Sequence, residues 1–267
     1  MAKRIVVMAV FLGAGLSASA APVDLSTWSA RTLDFPGAQP AGSWVLATDS
    51  SFVDQVINAD PSFYLNNRNQ TSYSTQGSWQ VLSGAGDNDY MGFVFGYQNS
   101  SNFYLFDWKA GRQGYAGGTA AEGMTIKKMT GATGDGLVDL SLGELWENEN
   151  DLGDMQVLAQ NHGSTEGWTL GTPYDFLLEF NQNPNELRVV VEEDESVLWD
   201  VTVVDDTFTS GQFGFYNFSQ GNVRYAGFEQ EGGVIVDPSP VIPAPSAMLL
   251  VGIGSCLTGW IRRRNAV

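Results

Sequence analysis

The chain has 267 residues, with 30 Asp and Glu against 13 Lys and Arg, a net charge of −17. That balance excludes the basic face a nucleic-acid binder needs to displace phosphate counterions. Apolar residues at 43% and aromatics at 12% supply a sizeable core, which excludes a disordered chain and allows one large all-β domain or two smaller ones.

The chain opens on a secretion signal: Lys3 and Arg4, then an apolar run from Ile5 to Leu16, then the small residues Ala18-Ser19-Ala20 as a cleavage site. Residues 1–20 are therefore expected to be a signal peptide and 21–43 an irregular lead-in that pairs at a sheet edge. From residue 44 to 230 short runs of Val, Phe, Tyr, Leu and Trp alternate with Gly, Asn, Asp and Ser clusters. Strands are predicted over 78–82, 89–97, 103–108, 124–129, 176–181, 187–192, 196–203, 212–218 and 223–228, with a short helix over 140–146. The stretches Gln98–Asn102, Asn181–Asn185 and Glu193-Asp194-Glu195 read as turns. Many short antiparallel strands at this spacing predict a two-sheet sandwich of jelly-roll type.

A proline-rich linker over 231–245 follows, too stiff and too poor in N–H donors to pair as a strand. The tail, 246–267, holds an apolar run from Ala247 to Ile261 closed by Arg262, Arg263 and Arg264. As a helix at about 1.5 Å per residue that run reaches about 22 Å, short of the ~30 Å hydrocarbon core, so it makes a transient or marginal membrane anchor. With Pro243-Ala244-Pro245 before it, the tail resembles the PEP-CTERM sorting signals of Gram-negative bacteria, although Ala244 stands where that motif carries Glu. The resemblance implies an exosortase-type processing enzyme as a partner and a final location outside the cell or on its surface. The single cysteine, Cys256, lies in this tail, so the domain itself is expected to hold no disulfide.

One passage combines acids with core residues: GDNDYMGFVFGYQNSSNFYLFDWK, from Gly86 to Lys109. Residues two apart on a strand share a face, so Asp87 and Asp89 are expected to point together, and two close carboxylates are relieved by water, protons or a cation. Calcium takes oxygen ligands of this kind, but the spacing is not that of an EF-hand; taken alone, the triplet reads first as a solvated turn. The passage resembles the thrombospondin C-terminal domain family, in which an acidic triplet and Tyr lead into Gly-Phe-Val-Phe-Gly-Tyr-Gln. Asn58-Ala59-Asp60-Pro61, Leu145-Trp146, Gly167-Trp168 and Gly211 to Gln220 resemble further landmarks of the family, in order.

The resemblance implies a concanavalin-like, lectin-like β-sandwich that binds calcium and serves extracellular adhesion. It implies Asp87, Asn88, Asp89 and Asp60 as metal ligands, and a glycan or protein polymer of the matrix or cell surface as partner. Asn217 stands where the family carries a cysteine. Receptor binding is not implied, because Asn102–Trp108 lacks the leading Arg of the family's receptor segment. Tyr104 and Trp108 are the ligand-surface candidates, each also readable as a core residue.

The runner-up is a secreted glycan hydrolase on the same scaffold, which needs two carboxylates facing each other across a groove. The acidic groups Glu144, Glu147 and Glu149, and Glu192 to Glu195, lack that alternation. The only histidine, His162, has no nucleophile elbow beside it and cannot build a multi-histidine zinc site. The sequence thus favours a non-catalytic binding domain.

Overall fold

The computed structural model describes residues 21–84 and 86–236; the signal peptide with Ala18 and Ala20, and the sorting motif with Pro243, Ala244, Pro245 and Arg262–Arg264, lie outside the described residues. The strands are β1 (Ala21–Pro22), β2 (Ser29–Thr32), β3 (Trp44–Leu46), β4 (Phe52–Gln55), β5 (Ser62–Leu65), β6 (Gln70–Val81), β7 (Tyr90–Asn99), β8 (Asn102–Lys109), β9 (Gln113–Tyr115), β10 (Gly118–Ala120) and β11 (Gly123–Thr130). Two short helices, α1 (Gly136–Asp139) and α2 (Leu142–Trp146), precede β12 (Met155–His162), β13 (Pro173–Phe180), β14 (Glu186–Glu193), β15 (Ser196–Val204), β16 (Gln212–Phe218) and β17 (Val223–Ile235).

The first sheet runs β15-β14-β13-β6-β17-β4-β3, with β1 also paired to β17; the second runs β12-β11-β8-β7-β16-β5-β2. All the pairings are antiparallel. This is the all-β sandwich the strand spacing predicted. On β6, β13 and β14 the inward set Tyr73, Trp79, Phe176, Leu178, Leu187 and Val189 is buried, while Gln76, Asp175 and Arg188 face solvent. That is the alternation expected of a half-covered sheet.

The second sheet departs from it. Trp108, Phe106 and Phe93 fill the core between the sheets, but their neighbours Leu105, Val94 and Tyr90 belong to a second core on the opposite face. Leu140, Leu145 and Trp146 cover that face from the segment around α2. β7 is thus buried along eight successive residues, Tyr90 to Tyr97, which is why its sequence reads as a continuous apolar run. The helix is set by a capping box: Ser141 accepts from the Glu144 N–H, and the Glu144 carboxylate accepts from the Ser141 N–H. Gly96 takes a left-handed φ of +56° where the β7 register shifts. A Cβ on Gly211, itself at φ +152°, would lie 2.2 Å from the Gly96 carbonyl carbon, so both positions need glycine.

Outside the lead-in six strands were not foreseen, among them the three-residue β9 and β10. β3, β4 and β5 are short, and β12, MQVLAQNH, is a polar sheet edge whose far end reads as loop. His162 accordingly sits on that edge strand and pairs through Nε2 with the Thr125 hydroxyl at 2.9 Å. β6 begins eight residues earlier than expected, because Gln70–Gly77 is held by β17 and β13 rather than by apolar patterning of its own.

Candidate functional site

The acidic triplet precedes its strand: β7 starts at Tyr90, so residues 87–89 form a lead-in turn to which the two-residue alternation does not apply. Their environments diverge. Asp89 is buried, and its carboxylate is ion-paired to Lys109 at the end of β8. Its backbone is fixed too, the N–H donating to Gln220 Oε1 at 2.9 Å and the carbonyl accepting from the Trp168 indole at 3.0 Å. Burial pushes the Asp89 carboxyl up and the Lys109 ammonium down, and their pairing opposes both shifts. Asn88 is exposed, and its carbonyl accepts from the Ala110 N–H and from Lys109 Nζ.

Asp87 is half-buried and has no basic partner among the described residues. Its Oδ2 accepts from Asn58 Nδ2 at 2.6 Å, and Asn58 Oδ1 in turn accepts from the Ser219 hydroxyl at 3.3 Å. An amide turned about its axis would present Asn58 Oδ1 to the same carboxylate's side, where it would serve a cation instead.

Asp60, the remaining expected ligand, has a structural role in the fold. It is fully buried, and both oxygens are occupied: Oδ2 accepts from the Phe35 N–H at 2.8 Å and Oδ1 from the Gln39 N–H at 3.0 Å. The carboxylate clamps the lead-in onto the sandwich. Asp60→Asn replaces one acceptor oxygen by an amide nitrogen and strands a backbone N–H. We expect it to cost about 1–3 kcal/mol in a denaturant titration.

Tyr104 and Trp108 are corrected as well. Both are buried in the intersheet core and offer no ligand surface. The Tyr104 hydroxyl donates to Asp205 and accepts from the Phe208 N–H, and the Trp108 indole donates to the Glu166 carbonyl at 2.6 Å. Burial opposes ionisation of Asp205, but bonds from Lys128, Tyr104 and Thr207 outweigh it and hold its carboxyl at about 2. The remaining acids are structural in the same way. Glu147 accepts from the Thr119, Glu149 and Asn150 N–H groups, Glu149 pairs with Arg112, and Asp194 and Glu195 take left-handed φ in the β14–β15 turn.

Sequence reasoning missed the charges beneath the triplet. On the covered face of the second sheet Lys127 Nζ lies 2.6 Å from Asp107 Oδ2, both with no exposed side-chain surface. Lys109 Nζ lies 4.6 Å from the Trp146 ring centre, and Lys127 Nζ lies 5.0 Å from that of Tyr90. The signal was present in β8, where Asp107 and Lys109 alternate with the core aromatics Phe106 and Trp108.

The profile of the thrombospondin C-terminal region matches residues 39–232. The chain belongs to that family. Among relatives of this thrombospondin-type chain, bovine cartilage oligomeric matrix protein is 29% identical over 210 residues, covering 76% of this chain and 27% of that protein. Chicken thrombospondin-2 is 30% identical over 200 residues, covering 73% of this chain and 17% of the relative. The alignments therefore take in about a quarter or less of these relatives' lengths. Among solved structures, the carbohydrate binding module CBM66 from Bacillus subtilis superposes with a TM-score of 0.45 at 15% identity, over 73% of this chain and 94% of that one. The exoplasmic/lumenal domain of VIP36, in a Ca2+/Man3GlcNAc-bound form, gives 0.49 at 12% identity, over 80% and 86%. These are distant likenesses of shape.

Proposed function

We propose that this thrombospondin C-terminal-type domain is an exported, non-catalytic, calcium-binding adhesion module of the cell surface or extracellular matrix of a Gram-negative bacterium. Family membership over residues 39–232 carries the reading, and the name of the cartilage oligomeric matrix protein supports the matrix setting. The signal-like start and the proline-arginine tail support export and exosortase-type sorting.

Calcium fits at one end of the triplet only. Asp87 is a half-buried carboxylate with no basic partner among the described residues; with the Asn58 amide turned, Asn58 Oδ1 would join it and water in a shell of about six to eight ligands. Asp89 and Asp60 have their charges satisfied by Lys109 and by backbone N–H groups. The test is thermal unfolding of the protein in millimolar calcium and in chelator, since a ligand of the folded state raises the midpoint. Calcium is expected to raise it, Asp87→Ala to abolish the rise, and Asp60→Asn to keep the rise on a lowered baseline. Equal midpoints in calcium and chelator sink the metal reading.

A hydrolase would need an acid whose pKa is raised by desolvation. Asp175 and Glu192 are cross-strand partners in an open groove of about 430 Å³ on the outer face of the first sheet. Asp175 there is solvent-exposed and lacks the desolvated setting a general acid requires. The pair therefore favours the binding reading.

A further inference from the structure

A second pocket, of about 400 Å³, opens where the lead-in meets the end of β17, and Val23, Asp24, Trp28, Asn66, Arg68, Gln70, Gln230 and Ile235 line it. Its wall includes Gly232 and Gly233 at φ +72° and +85°, so bare backbone borders the space.

Its polar groups are unusually free. Of the described Lys and Arg side chains, Lys109, Arg112, Lys127, Lys128, Arg188 and Arg224 are in ion pairs, and Arg31 donates to the Ser100 hydroxyl. Arg68 alone among them has neither an ion pair nor a side-chain hydrogen bond, and it lies on this pocket. Gln70 is 96% buried, its residual exposure being 4%. Its Oε1 accepts from Asn66 at 3.1 Å and from Gln230 at 3.2 Å, yet its amide nitrogen has no acceptor among the described residues. The Trp28 indole N–H, on a ring stacked 5.0 Å from Phe215, likewise has no acceptor among the described residues.

We propose that this pocket binds one acidic sugar unit, a uronate, of an extracellular polymer. Three unmatched donors, one of them a guanidinium, call for an anionic ligand rich in acceptors, and a carboxylate meets guanidinium in a two-point fit. Asp24 Oδ2 and the Gln230 carbonyl remain to accept hydroxyl protons, which a simple organic acid lacks. The volume holds a sugar ring and its linkage. The proposal rests on the reading of the domain as a binding module but not on its calcium.

The test is calorimetric titration of the intact protein, in chelator, with digalacturonate and with its neutral methyl ester. Digalacturonate is expected to bind and the ester to bind at least tenfold more weakly. Arg68→Gln should bring digalacturonate down to the level of the ester with an unchanged unfolding midpoint, since the Arg68 side chain is exposed and makes no hydrogen bond or ion pair among the described residues. Arg68→Lys should recover part of the loss. Equal binding of acid and ester, binding unaffected by Arg68→Gln, or no binding at millimolar digalacturonate overturns the proposal. Because chelator is present throughout, failure here leaves the calcium reading standing, and failure of calcium leaves this one.

Discussion

Lys127→Met is expected to destabilise the domain by about 3–5 kcal/mol, the usual cost of removing one partner from a buried ion pair. Lys127 and Asp107 have no exposed side-chain surface, and Asp107 Oδ1 has no hydrogen-bond partner among the described residues, so the stranded carboxylate would keep only the longer-range attraction of Lys109, which is paired to Asp89. Burial already pushes the Asp107 carboxyl up to about 6, with Lys127 pulling against it. Its folded pKa exceeds the unfolded value of 3.8, so its ionisation opposes folding as pH rises through that window. Without Lys127 that opposition grows. The deficit of the variant should therefore be larger at pH 7 and shrink as pH falls to about 6 and below, where Asp107 is neutral in both folded proteins. Denaturant titrations at pH 7 and pH 5 check both the size and the direction. The double variant Lys127→Met with Asp107→Leu should recover most of the loss, because it leaves no unpaired charge behind.

Trp79→Ala is expected to cost as much, about 3–5 kcal/mol, by opening a cavity at the centre of the intersheet core. Trp79 stacks 4.8 Å from Phe176 and lies 5.5 Å from Phe106 and 5.7 Å from Phe93, bridging the two sheets. Its indole nitrogen has no partner among the described residues. Trp79→Phe keeps the stack and deletes the orphan donor, so it should cost less than about 1.5 kcal/mol. At about 2–4 °C per kcal/mol for a domain of this size, the alanine variant should melt on the order of 10 °C lower and the phenylalanine variant only a few degrees lower. Similar midpoints for the two would show that the core closes around the gap.

What could be read from the sequence follows from how each element gains its stability. β7, β8, β14 and β16 carry their own apolar patterns, so their positions were legible within a residue or two. β12 and the first half of β6 are polar; they are strands because neighbours supply their hydrogen bonds, and no local pattern records that. The triplet at Asp87 was legible as an acidic turn but not as three unlike residues. Its outcome depends on Lys109, twenty positions on, which reaches Asp89 and leaves Asp87 free. Tyr104 and Trp108 misled because an aromatic on a sandwich strand has the same local sequence whether its face meets solvent or the other sheet. The pocket at Arg68 had no signature at all. Its residues come from the lead-in, β6 and β17, and what marks it is a shortage of partners, a property of the fold alone.

β17 bears on mechanics. It lies inside the first sheet, held by β6 on one side and by β1 and β4 on the other, and Gln230, Gly232, Gly233 and Ile235 on its last stretch also line the uronate pocket. A tether leaving the domain beyond Val236 and a polymer held at that pocket would pull on neighbouring points of one strand. Tension would then pass through the pairs Gln230–Thr75 to Ile235–Gln70, and most of the sandwich, with its buried charges and its acidic turn, would carry no load.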